Sequence, residues 1–169
     1  RLDIASRFVT VKRRTFDALL VREAVTAGAC FVEGRVARYA ATPDGSTRLE
    51  LGGADGVAAR TVSARAAIVA TGASVDLLGQ HGLVSQPRAS AMALRCYVTS
   101  DEPLEELVIS YDRDIAPGYA WIFPMGGGEY NIGCGTIVPA DGARDMNLRR
   151  DFATFTTTFP LARGIMALV

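Results

Sequence analysis

Tyr119-Ala120-Trp121-Ile122-Phe123-Pro124, followed by Gly133-Cys134-Gly135, is the stretch on which the reading of this 169-residue chain turns. As a strand it puts Tyr119, Trp121 and Phe123 on one face and Ala120 and Ile122 on the other, because side chains alternate along extended backbone. At about 3.3 Å per residue the three rings form an apolar wall roughly 13 Å long. Such a wall suits a long hydrocarbon better than a small polar metabolite. Pro124 has no N–H for a ladder and is expected to end or bend the strand. Gly133 and Gly135 leave one face of the next strand bare, so that a ligand or a flat ring can approach closely. Aromatic alternation alone also describes a hairpin whose rings pack into a core. The full spacing is more restrictive.

Working outward, residues 91–99, 107–111, 119–123 and 130–138 read as strands of one antiparallel sheet, separated by Pro103, Pro117-Gly118 and Gly126-Gly127-Gly128. A helix is expected over 144–159, with Phe152, Phe155 and Phe159 on one face at three-to-four spacing. Before residue 85 the pattern differs. A short β-rich run at 8–11 leads into a helix over 13–27, where Phe16, Leu19, Leu20, Ala24 and Ala27 recur at helical spacing and Gly28 stands where a C-cap belongs. Strands are expected at 30–33, 36–41, 47–51 and 58–63. The last three form a meander turned by Pro43-Asp44-Gly45 and by the glycine-rich residues 52–56. Residues 66–70, apolar on both faces, read as a buried strand ending at Thr71-Gly72.

Tyr-x-Trp-x-Phe-Pro with Gly-x-Gly eight residues on resembles the substrate-side signature of the geranylgeranyl reductase family, flavoproteins similar in fold to para-hydroxybenzoate hydroxylase. A second stretch, Arg13-x-x-Phe16-Asp17-x-x-Leu20 followed by Ala24 and Gly28-Ala29, resembles that family's helix beside the cofactor. The resemblance implies an α+β chain made of the central part of such a flavoprotein. It would comprise a three-strand meander from the FAD domain and a larger antiparallel substrate-domain sheet with helices. Residues 1–84 would be a partial FAD-binding domain and 85–169 a partial substrate-binding domain. Tyr119, Trp121, Phe123, Pro124, Gly133 and Gly135 would bind an isoprenoid or prenyl-lipid substrate.

On the cofactor side, Arg13 would face the phosphate or ribityl portion of FAD; a guanidinium at a helix N-terminus suits an anion. Val36 would contact the adenine through its backbone, and Ala70-Thr71-Gly72 would lie below the cofactor. Thr71 departs from the Asp found there in related hydroxylases, which weakens a hydroxylase reading with direct NADPH use. NAD(P)H or another reductant would supply electrons. No catalytic residue is assigned. The Gly-x-Gly-x-x-Gly fingerprint is missing from the chain, so an internal fragment is expected, with roughly a hundred residues before it on domain-size grounds.

Composition excludes several classes. Lys+Arg and Asp+Glu are both 18, so the chain lacks the basic excess of a nucleic-acid binder. Cys30, Cys96 and Cys134 with the single His81 have no metal-ligand spacing, so no metal site is expected. They favour a reducing, cytoplasmic setting. No apolar run reaches eighteen residues; peripheral membrane contact stays open. Two other readings remain: an FAD-dependent monooxygenase or halogenase acting on an aromatic, and a lipid-binding module without catalysis.

Overall fold

The computed structural model describes residues 8–52, 60–84, 90–138 and 147–167. They fall into two units, Val21–Arg88 and the pair of segments Arg1–Leu20 and Ala89–Val169.

Helix α1, Arg13–Thr26, carries the expected apolar stripe, but none of its residues is buried among the described residues. Its C-terminus follows the prediction closely. Gly28 has φ 99°. Its N–H bonds the Val25 carbonyl at 3.0 Å, and the Ala29 N–H bonds that of Ala24 at 3.0 Å. This is a Schellman arrangement, and the left-handed residue in it favours glycine.

In the Val21–Arg88 unit, β1 (Arg35–Ala41), β2 (Thr47–Gly52) and β3 (Arg60–Ala64) form the expected antiparallel meander. The β1–β2 turn is held by Asp44, whose carboxylate accepts from the Thr42 and Ser46 hydroxyls and from the Ser46 N–H. These bonds hold the Asp44 pKa down to about 2. The expected second turn lies largely outside the described residues. A short helix α2, Asp76–Gln80, follows.

Three expected strands are not formed. Residues 8–11 and 30–33 are irregular. Residues 66–70 are also irregular and mostly exposed, with Ile68 at 93%. An apolar run becomes a buried strand only where neighbouring strands pair with its backbone; no described strand lies beside it.

The other unit is a four-stranded antiparallel sheet backed by helices. β4 (Ala91–Thr99), β5 (Val108–Ser110), β6 (Tyr119–Gly126) and β7 (Glu129–Ile137) lie in the order β4-β7-β6-β5. The β6–β7 hairpin turns through Gly127-Gly128, both at positive φ, as a two-residue turn matching strand twist requires. Pro124 does not end β6. The strand continues to Gly126, with a register shift between them, so the proline bends the ladder and does not stop it.

Helix α3 spans Leu148–Thr158 and not 144–159, because Asn147 caps it by accepting the Arg150 N–H at 3.0 Å. Residues 144–146 lie outside the described set. A further helix, α4 (Pro160–Met166), was not anticipated; Pro160 sits at its first turn, where a missing N–H costs nothing.

The core lies on the helix side of this sheet. Ala120 and Ile122 of β6, Ile132 of β7, Phe155 of α3 and Ala162 and Ile165 of α4 are almost fully buried together. Phe155 and Phe159 stack with centroids 5.2 Å apart. The alternation that sends Ala120 and Ile122 inward sends the rings of β6 to the opposite face.

Candidate functional site

Register places the site on that opposite face. Trp121 pairs with Gly133 and Ile109, Tyr119 with Gly135, and Phe123 with Asn131. The rings form a continuous ladder. Tyr111–Tyr119, Tyr119–Trp121 and Trp121–Phe123 centroids are 6.1, 5.7 and 6.2 Å apart. Such offset spacing is favourable for aromatic pairs.

The bare glycine at 133 has a definite occupant. A Cβ there would stand 2.4 Å from Trp121 Cζ2 and 2.6 Å from the Leu94 carbonyl oxygen. The indole therefore lies flat on the Gly133 backbone. Trp121 Nε1 donates to Asn131 Oδ1 at 3.2 Å, which fixes the ring in its plane. At 8% exposure Trp121 is the packed centre of the ladder. The accessible surface belongs to Tyr119 (40%), Ile109 (53%) and Tyr111 (77%). Over Gly135 the ring of Tyr119 is at ordinary contact distance from an added Cβ.

Tyr97 of β4 extends the face, in register with Asn131. Lys12 Nζ and Arg95 Cζ approach its ring centroid at 5.2 and 5.5 Å, within cation–π reach. Lys12 also pairs with Glu129 at 2.7 Å, and the neighbouring Thr10 hydroxyl donates to the Pro124 carbonyl. Residues 10–12 are thus fastened to the sheet without being a strand. Sequence reasoning missed Asn131, Arg95, Tyr97, Ile109 and Tyr111. The odd-numbered alternation of 91–99 carried the signal for two of them.

The opposite face is sealed. Cys134 Sγ donates to the Leu148 carbonyl at 3.5 Å, and burial together with the Asp151 charge pushes its thiol up to about 11. It is directed at the helices, away from the rings.

The residues expected to face a cofactor divide between the two units. Arg13 opens α1, exposed, with Nε on Asp17 at 3.0 Å. That bond leaves its remaining guanidinium N–H groups for an anion. Val36 is half-buried on β1, opposite Leu51. Ala70-Thr71-Gly72 is an exposed turn in which the Thr71 hydroxyl donates to the Ser74 carbonyl and Gly72 takes φ 61°. No atom lies within 4 Å of where a Gly72 side chain would stand. The exposed Arg13 guanidinium is by itself donor chemistry that fits a phosphate, such as an FAD-type group carries. Among the described residues no group of three or more His, Cys, Asp or Glu could hold a metal ion.

A helix-backed antiparallel sheet with rings on its other face, together with a separate three-strand meander, defines an α+β architecture. Comparison with known proteins bears this out. A geranylgeranyl bacteriochlorophyll reductase-like structure from Thermoplasma acidophilum superposes with a TM-score of 0.69 at 22% identity, over 89% of this chain and 38% of that one. A flavoprotein/dehydrogenase from Cytophaga hutchinsonii gives 0.70 at 20% identity, over 92% of this chain and 39% of that one.

In sequence the chain is 36% identical over 131 residues to digeranylgeranylglycerophospholipid reductase 1 of Methanopyrus kandleri, covering 74% of this chain and 34% of the relative. It is also 36% identical over 104 residues to menaquinone reductase of Mycobacterium tuberculosis, covering 56% of this chain and 25% of the relative. The chain thus spans about a third or less of the curated relatives it matches. No protein-family model matches it. The chain is thus similar in fold to a geranylgeranyl bacteriochlorophyll reductase-like protein and a flavoprotein/dehydrogenase, and similar in sequence to prenyl-lipid and menaquinone reductases.

Proposed function

We propose that the chain is part of an FAD-dependent oxidoreductase that saturates carbon–carbon double bonds of a prenyl lipid. In this reading the ring-bearing face of the β4–β7 sheet is the wall for the prenyl tail. The observation that carries it is the ladder Tyr111–Tyr119–Trp121–Phe123 on a sheet face whose other side is already filled by helices. Tyr119 and Tyr111 of that ladder are exposed and are not needed to close the core. Relatives named for reduction of a prenylated phospholipid and of menaquinone support the same class of substrate.

Within this scheme residues 1–84 serve the cofactor and 85–169 the substrate. Arg13 would hold a phosphate of FAD, Val36 its adenine, and Ala70-Thr71-Gly72 would let the flavin approach the backbone. Reduced flavin, when bound, supplies the hydride equivalent, drawn from NAD(P)H or another reductant. The chain's own part is to bind the tail and exclude water. Each CH₂ taken from water contributes about 0.8 kcal/mol, so a long tail is held with few polar contacts. Such a substrate enters from a bilayer, which fits a cytoplasmic protein touching the membrane peripherally. Among the described residues no helix is long and apolar enough to cross one.

The test is Tyr119→Ala in the flavin-loaded protein, with geranylgeraniol and geraniol as ligands. Tyr119 is exposed, so its loss leaves the core intact. Losing contact with two or three methylenes costs about 2 kcal/mol, roughly a thirtyfold weaker binding of the long alcohol, with the short one little changed. Turnover should persist without O₂, as a monooxygenase's would not. Equal effects on both alcohols would remove the case for a tail wall.

A further inference from the structure

We propose that Arg95 is the anchor for an anionic headgroup, which makes the preferred substrate a phosphate-bearing prenyl lipid and not a neutral one. This rests on the reading of the ring-bearing face as the tail wall. Arg95 lies on that face, directly across from Gly133 and therefore beside the indole that covers it. Its guanidinium stands 5.5 Å from the Tyr97 centroid.

Two cations flank Tyr97, and they differ in one respect. Lys12 is neutralised by Glu129 at 2.7 Å. Arg95 makes no ion pair among the described residues, although it is exposed on a face built of rings, small residues, Ile109, Asn131 and Glu129, whose carboxylate is already taken by Lys12. A guanidinium with an aromatic neighbour but no carboxylate partner, at the margin of an apolar wall, is matched by an amphiphile with an anionic head. The tail lies along the ladder, and the planar fork of N–H donors takes phosphate oxygens in pairs. A neutral head would take one weaker hydrogen bond and leave the charge unanswered.

Arg95→Gln and Arg95→Lys, made in the flavin-loaded protein, test this with two probes that share one tail, geranylgeranyl diphosphate and geranylgeraniol. Binding is read as quenching of the Trp121 emission, with KM as a second measure. The unaltered protein should prefer the diphosphate, and the preference should shrink as salt is raised. Arg95→Gln should weaken diphosphate binding about tenfold to a hundredfold and leave the alcohol unchanged. Arg95→Lys should recover part of the loss. Equal loss of both probes, or no loss of either, overturns the anchor while the Tyr119 dependence on tail length leaves the wall standing. Failure of the unaltered protein to bind either probe overturns both.

Discussion

Gly133→Ala probes the one close approach on which the ring ladder depends. The added methyl would stand 2.4 Å from Trp121 Cζ2, 2.8 Å from Cε2 and 2.6 Å from the Leu94 carbonyl oxygen. The indole is held by Asn131 and the neighbouring rings, and the carbonyl is backbone in β4. Neither can swing aside as the end of a flexible side chain would. Overpacking of this kind costs about 1–3 kcal/mol. Replacing glycine inside a strand returns about 0.5–1 kcal/mol through lower entropy of the unfolded chain. The net expectation is a loss of about 1 kcal/mol, within about 0–2.5 kcal/mol, read as a lower urea midpoint. Trp121 is the chain's single tryptophan, and its emission should shift red as the ring leaves its seat. Adding Trp121→Ala to Gly133→Ala should recover only part of the methyl's cost, because the contact with the Leu94 carbonyl persists. Non-additivity is the expected sign of groups in direct contact. An unchanged midpoint and unchanged emission in Gly133→Ala would refute the seating of the indole on this glycine.

Two further outcomes follow from other parts of the molecule. Arg13→Ala should weaken FAD binding more than Arg14→Ala in a flavin titration, since a hydrogen bond to a charged group is worth about 1.5–3 kcal/mol; equal effects would dismiss Arg13. Exposed Cys30 should react with a thiol reagent at pH 8 while buried Cys134 does not. The Cys134 thiol is raised from the ordinary 9.0 to about 11, so the folded state keeps a proton that the unfolded state loses first. Its contribution to stability is therefore full below about pH 9 and is lost between about pH 9 and about pH 11. A denaturation midpoint that does not fall across that range in the native protein relative to Cys134→Ala would contradict it.

Local pattern was enough for the elements whose partners are close in sequence. The alternation of 119–123 and 130–138, with three glycines between, specifies a hairpin with Tyr119, Trp121 and Phe123 on one side and Ala120, Ile122, Ile132 and Cys134 on the other. Gly28 specifies a helix end, because a left-handed residue is cheap only there. The meander over residues 35–64 was legible for the same reason: its strands pair with their neighbours across short turns. The resemblance to a reductase family, strongest over residues 11–29, 66–74 and 117–135, also came from the spacing of a few residues, since that spacing encodes one sheet face.

Tertiary structure decided what local pattern cannot carry. Residues 66–70 are apolar enough for a buried strand, yet a strand exists only where others satisfy its backbone. Pro124 bends β6 without ending it because the β7 ladder resumes beyond the bulge. Above all, the bare backbone at Gly133 is filled by the chain's own Trp121, which sequence left open between a ligand and a ring. Register across three strands sets Arg95, Gly133 and Trp121 side by side, though they stand far apart in the chain. Spacing along one strand reports which face a residue shares; only pairing between strands reports which residues of that face touch.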